Sequence, residues 1–181
     1  MQIRPNIIGY HVNDENRCLK FIENNEYMID SNDTAWLGYG MYFWDNEANA
    51  NYWITQKRRK DNINKIGKVK CNIFTDKMLD LTDTEQIKAF DNLWNEYCKK
   101  ENCSKNQPLG VKLDRLFDYF KYLRDAFKVI RVYGRYVKTP YIRFIPYDKD
   151  SETCEPIYHV KCIYVVKDYE YIINRELMEV V

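Results

Sequence analysis

The chain has 181 residues, 45% of them hydrophobic and 30% charged, which fits one globular domain over 1–181 and excludes a wholly disordered chain. Lys plus Arg number 28 and Asp plus Glu 27, so the formal charge of +1 excludes a global pull toward nucleic acid or an anionic membrane. No apolar run approaches the roughly 18 residues of a membrane span, and Met1 to Gly9 lacks the pattern of an export signal, so a cytoplasmic protein with no membrane partner is expected.

In chain order, Met1 to Val12 reads as a strand, with Ile7, Ile8 and Tyr10 apolar. Asp14 is placed to cap a helix carrying Cys18, Phe21 and Ile22 on one face. Asp30 to Asp33 reads as a turn cluster, and Trp36 to Trp44 is an aromatic stretch containing Gly38 and Gly40. A helix follows Asp45 and ends in the run Lys57-Arg58-Arg59-Lys60. Val69, Cys71 and Ile73 alternate as in a half-buried strand. Thr82 and Glu85 have capping-box spacing before a helix bearing Ile87, Phe90, Leu93, Trp94 and Tyr97. After a polar connector at 101–108, Leu109, Leu113, Leu116, Phe117 and Phe120 predict a further helix to about Phe127. Val129 to Tyr133, Tyr141 to Ile145 and Ile157 to Val166 read as strands, and the tail from Tyr169 as a short helix or strand. The pattern is α+β.

The six cysteines form no CxxC pair and several sit in apolar segments, so free structural thiols are expected. With only His11 and His159 beside them, no metal site is expected. The chain has no P-loop, and Gly38-Tyr39-Gly40 lacks the third glycine of a dinucleotide fingerprint.

One constellation is specific. Leu37-Gly38-Tyr39-Gly40-Met41-Tyr42-Phe43-Trp44-Asp45, followed by Ala50-Asn51-Tyr52, resembles the core signature of ADP-ribosyltransferases of the poly(ADP-ribose) polymerase and diphtheria-toxin branch. Upstream, Gly9-Tyr10-His11 resembles the branch's Tyr-His-Gly motif, and Ser31 stands between the two. Leu79-Asp80-Leu81 and His159-Val160-Lys161 are similar to later motifs of bacterial and phage members of the toxin and defence kind. The resemblance implies two packed antiparallel sheets with surrounding helices and a cleft for NAD, and transfer of ADP-ribose from NAD to a macromolecular acceptor. It implies Tyr42 and Tyr52 against the nicotinamide and His11 on the adenosine ribose. Backbone beside His11, at Val12, would read the carboxamide. Tyr10, Asn13, Ser31, Gly40 and Phe43 would complete the NAD site. It also implies a toxin or anti-phage effector whose partner is a separate antitoxin protein.

The third catalytic position falls on Lys161 where the branch has Glu. A positive charge ~4 Å from the oxocarbenium-like transition state costs about 4 kcal/mol at an effective dielectric of 20, roughly a thousandfold in rate. Three readings follow. Glu155 reaches the site instead; or Lys161 is neutral or contacts substrate; or the protein is a catalytically silent relative that binds NAD or ADP-ribose as a sensor. The run from Lys57 to Lys70, with seven basic residues and one acidic, tilts the acceptor toward RNA or DNA over protein.

Overall fold

The structure is a computed structural model and describes residues 4–60, 63, 65–135 and 160–181. Strand β1 (Asn6–Asp14) ends on the residue that caps helix α1 (Glu15–Glu23): the Asp14 carboxylate accepts from the amides of Asn16 at 3.0 Å and Arg17 at 3.4 Å. Cys18 and Phe21 then face inward, as their spacing predicts. Ser31–Asp33 is a short strand, β2, rather than only a turn, because it pairs with the start of β3 (Gly38–Trp44) through Ser31↔Gly40 and Asp33↔Gly38. Helix α2 (Glu47–Lys60) lies across β1 and β4 (Ile66–Phe74), where Val12, Ala50, Ile54 and Ile66 are buried together.

Strand β5 (Met78–Asp80) leads into helices α3 (Thr84–Glu101), α4 (Leu109–Tyr119) and α5 (Tyr122–Ala126), and then β6 (Val129–Arg135). The cap of α3 is Asp83, whose carboxylate accepts from the Glu85 amide at 2.8 Å; the expected cap, Thr82, turns its hydroxyl to Asp80 instead. The helix expected to run from Leu109 to Phe127 is two, because the chain breaks helical geometry at Phe120. Strand β7 (Val160–Val166), a 3-10 turn (Tyr169–Tyr171) and β8 (Ile172–Val180) close the chain. The strand expected at Tyr141–Ile145 and the beginning of the one at Ile157 lie outside the described residues.

The result is a mixed α+β fold around one large open sheet, ordered β5-β6-β7-β3-β1-β4-β8, with β2 on β3. Two separate sheets were expected, all antiparallel. Instead the strands form one path, and β5 lies parallel to β6 because α3, α4 and α5 carry the chain back before it re-enters the sheet. The path is nearly cut at its middle. β1 and β4 share a ladder from Asn6↔Phe74 to Asp14↔Ile66, whereas β1 and β3 share only Tyr10↔Trp44. One core lies between the two halves, with Phe21, Met41, Phe43, Val69, Ile73 and Val166 in a single cluster. A second core packs α3, α4 and α5 on the sheet through Leu79, Trp94, Leu113, Ile130 and Val165. The five described cysteines are free thiols. Among the described residues, no helix is long and apolar enough to cross a membrane.

Two cations, the buried Lys68 and the half-buried Arg175, fasten neighbouring elements to the sheet. Lys68 of β4, 3% exposed in its side chain, sits 2.5 Å from both Glu47 of α2 and Glu179 of β8. Burial works against its charge, but the two carboxylates outweigh it and raise the pKa. Arg175 of β8 donates to the carbonyls of Phe21, Asn24, Asn25 and Tyr27, and its guanidinium lies 4.2 Å from the centre of the Phe21 ring. It thereby gathers the connection that delivers Ile29, Asp30 and β2 to the middle of the sheet. A lysine cannot reproduce this planar fork. Arg175→Lys is expected to lower stability by about 2 kcal/mol in urea unfolding. Unchanged stability would show that the four carbonyls are satisfied without it.

Candidate functional site

Beyond Tyr10↔Trp44 the edges of β1 and β3 separate, and a cleft of about 250 Å³ opens between them. Its lining includes His11, Val12 and Asn13 of β1, Ser31 and Asp33 of β2, and Tyr42 and Trp44 of β3. Arg17 of α1, Trp53 and Lys57 of α2 and Ile163 of β7 complete the wall together with Ile29, Asp30 and Trp36. The volume sits just below the range of about 300–1,000 Å³ common for ligand pockets, so an occupant of dinucleotide size would project from the mouth.

His11 spans the gap where the ladder stops. Its Nδ1–H donates to the main-chain carbonyl of Tyr42 at 2.6 Å, and the Asn13 side-chain amide donates to its Nε2 at 3.2 Å. These two partners fix a neutral ring with the proton on Nδ1. Burial lowers its pKa to about 4. The Tyr42 carbonyl opposes that shift, and the charges of Lys57 and Arg17 add to it. Asn13 is itself held, because its Oδ1 accepts from the Asp14 amide at 2.9 Å.

Tyr42 turns its hydroxyl away from the cleft mouth. The oxygen accepts from the Leu37 amide at 3.1 Å and donates to the Gly38 carbonyl at 2.7 Å, and burial raises its pKa. The phenol therefore ties down the connection between β2 and β3, while the residue remains part of the cleft wall. Beside it, Trp44 and Trp53 stack with ring centres 5.6 Å apart and planes 21° apart. Two of the buried polar atoms that have no hydrogen-bond partner among the described residues belong to this wall, the Trp53 indole N–H and one carboxylate oxygen of Asp30. A group buried without a partner costs on the order of 1–3 kcal/mol.

The structure brings His11, Val12, Asn13, Ser31 and Tyr42 together as the sequence reading requires, and leaves other expected residues outside the cleft. Phe43 points to the opposite face of β3 and is fully buried in the core between the halves. Tyr10 lies on the face of β1 covered by α2. Gly40 answers to packing: its φ is +141°, and a Cβ there would stand 2.7 Å from the Val166 carbonyl. Gly38, with φ +73°, leaves room for the Asp114 carboxylate, which accepts from the Tyr39 amide at 3.0 Å. Tyr52 is exposed on α2, and the Nζ of Lys161 lies 5.0 Å from the centre of its ring. Lys161 is two residues before Ile163 on β7, so both project from the same face of that strand. Burial lowers the Lys161 pKa, and Asp45 opposes that. Glu155 and His159 lie outside the described residues.

Arg17, Asp30, Trp44 and Trp53 were not singled out by the sequence as site residues, and Lys57 entered only as the start of the basic run. A larger cavity, of about 560 Å³, lies beyond β2, but its cations are taken by ion pairs: Arg124 with Asp118, Lys128 with Asp168 at 3.1 Å and Lys167 with Asp114 at 3.6 Å. The cleft at His11, although the smaller of the two, is the better candidate because it gathers His11, Asn13, Ser31 and Tyr42 on one wall. Among the described residues, no group of three or more His, Cys, Asp or Glu side chains is placed to hold a metal ion.

No protein-family model matches the chain, and no solved structure does. An uncharacterized protein of Methanocaldococcus jannaschii is 29% identical over 89 residues, which cover 47% of this chain and 42% of the relative. The match thus spans less than half of that relative's length.

The His11 geometry fixes a pH dependence. A histidine whose folded pKa lies near 4, below the ordinary 6.5, folds with fewer protons than the unfolded chain binds between those values. Its contribution is fully present above pH 6.5 and is lost as pH falls toward 4, by about 3 kcal/mol in all. Denaturant unfolding from pH 7 to 4 is expected to show this slope in the native protein and a shallower one in His11→Gln. Equal slopes would place His11 in water.

Proposed function

We propose that the cleft binds NAD and that the protein is an ADP-ribosyltransferase acting on a macromolecule. The observation that carries this reading is the convergence of His11 and Tyr42, the two residues drawn from separate motifs of the resemblance, on one cleft where the ring of one bonds the main chain of the other. In the reaction, the bond between the nicotinamide nitrogen and ribose C1′ breaks, and its electron pair leaves with nicotinamide. An acceptor oxygen or nitrogen then bonds C1′ and gives up its proton. The protein's task is to orient the leaving ring and exclude water.

Each part of the wall suits that task. Tyr42, Trp44 and Trp53 offer flat apolar faces to a flat ring. Val12 lies on the edge of β1 that has lost its β3 partner, which leaves main-chain groups for a carboxamide. His11 Nε2 has one lone pair, held by the Asn13 amide, so a ribose hydroxyl that donates to it takes the place of Asn13, whose amide is then released as a donor beside it. Within the basic run, Lys65, Lys68 and Lys70 pair with Glu15, Glu47 or Glu179, and Glu176, while Arg58 and Arg59 are exposed at the end of α2 as a basic rim favouring RNA or DNA. A partner antitoxin and a defence role belong to the same proposal and rest on the resemblance alone.

The place of Lys161 favours a second reading, a silent relative that holds NAD or ADP-ribose without turnover. It is a cation on the β7 face that also carries Ile163, the cleft-lining residue. Incubation with NAD separates the two. The transferase reading expects nicotinamide release that rises with RNA, DNA or cell lysate and falls by about 100-fold or more in His11→Ala and Tyr42→Ala, a barrier change near 3 kcal/mol. Bound NAD with no release under any condition would favour the silent binder, and absence of both binding and release would overturn the NAD reading.

A further inference from the structure

The most closely spaced cysteines of the chain, Cys98 and Cys103, stand at the end of α3 with their sulfurs 3.3 Å apart. We propose that they form a reversible modification site, at which a low-molecular-weight disulfide oxidises the two thiols to a bond between the last turn of α3 and the connector that follows it. The site is remote from the cleft at His11 and does not depend on the NAD reading.

In a continuous helix, residues five apart point about 140° away from each other, and two such thiols do not meet. These meet because the chain turns back. Asn102 takes the left-handed conformation, with φ +50°, and its amide and that of Cys103 both donate to the Cys98 carbonyl, the second at 3.2 Å. The connector is held again two residues on, where the Trp94 indole N–H donates to the Lys105 carbonyl at 2.9 Å. Cys103 is thus fixed from both sides. Its thiol donates to the Cys98 sulfur, which donates on to the Ser104 carbonyl at 3.9 Å. Bonded sulfurs stand about 2.0 Å apart, so this pair has to close by about 1.3 Å, a distance within reach of side-chain rotation.

The two thiols differ in access, and the difference orders the steps. Cys98 is buried in the core that packs α3 on α4, whereas Cys103 is half-buried. The oxidant therefore meets Cys103. The Cys103 sulfur gives up its proton and attacks one sulfur of the oxidant, whose S–S bond breaks, and the leaving half takes a proton as a free thiol. The Cys98 sulfur, already in contact, gives up its proton and attacks the Cys103 sulfur, displacing the second half as another thiol. The protein loses two electrons and two protons, and the oxidant gains both. The other described cysteines are set against such chemistry. Cys18 donates to the carbonyls of Asn13 and Gly67, and burial pushes up the thiol pKa of Cys18, Cys71 and Cys162.

The test equilibrates the reduced full chain with glutathione at rising ratios of oxidised to reduced form, traps free thiols with iodoacetamide, and reads intact mass, peptide maps and hydrogen exchange. The expected product has lost two hydrogen atoms and two of its six free thiols, carries its bond between Cys98 and Cys103, and returns to the starting mass with dithiothreitol. Amides of the last turn of α3 and of the connector should exchange roughly ten-fold more slowly in the oxidised form, because the bond restricts their local opening. Cys98→Ser is expected to stop at a stable glutathione adduct on Cys103, and Cys103→Ser to leave Cys98 unmodified. Retention of all six thiols by the folded native protein at every ratio would overturn the proposal. So would a lasting glutathione adduct on Cys103 of the native chain, or a bond from either cysteine to Cys154.

Discussion

The structure depends on one interruption. A sheet that is otherwise continuously paired comes apart between β1 and β3 after a single residue pair, and the His11 imidazole replaces the missing ladder by donating to the Tyr42 carbonyl. Two neighbouring strands normally satisfy each other's main chain. Here the space between them is given to side chains from six elements, and a ring nitrogen carries the only cross-strand hydrogen bond that survives past Tyr10 among the described residues. The cleft exists because the strands diverge, and the divergence is tolerated because β1 keeps its full ladder with β4 and β3 keeps its ladder with β7.

The rest of the molecule is arranged so that this opening does not collapse. Behind it, Met41 and Phe43 fill the core shared with β4, so the back of β3 is as tightly held as its front is open. At one end α2 is fastened to the sheet by the buried Lys68 and its two carboxylates. At the other, Arg175 gathers four carbonyls and presents β2 to the edge of β3. Against this support stand the Trp53 indole and the Asp30 oxygen, which have no partner among the described residues, the neutral buried His11 and the phenol of Tyr42 spent on its own strand connection. Two of the three buried polar atoms left without a partner among the described residues lie at the cleft, and the third is the Nε of Arg175.

Much of this was legible in the sequence. The alternation of Val69, Cys71 and Ile73, the Asp14 cap and the spacing of Leu113, Leu116 and Phe117 all reappear as elements with the expected buried faces. The two motifs put His11 and Tyr42 at one site without predicting the hydrogen bond that joins them across 31 residues of chain. Phe43, expected at the NAD site, is buried in the core instead, on the face of β3 opposite to Tyr42 as strand alternation requires. Two things had no local signature. Trp53 and Lys57, which both line the cleft from α2, are a ring and a charge four residues apart and carry no amphipathic pattern. The parallel pairing of β5 with β6 is a property of the path through three helices, not of either strand. The double duty of Gly38 and Gly40 was equally hidden, because Asp114 and Val166, which their missing side chains accommodate, are distant in sequence.

The most direct measurement is the nitrogen-15 spectrum of the two histidines, recorded with and without NAD. The account predicts that His11 is neutral at pH 5.5, is protonated on Nδ1 and titrates near 4, and that NAD shifts its Nε2 resonance while the Nδ1–H to Tyr42 persists. A His11 that titrates near 6.5, carries its proton on Nε2, or is untouched by saturating NAD would contradict it.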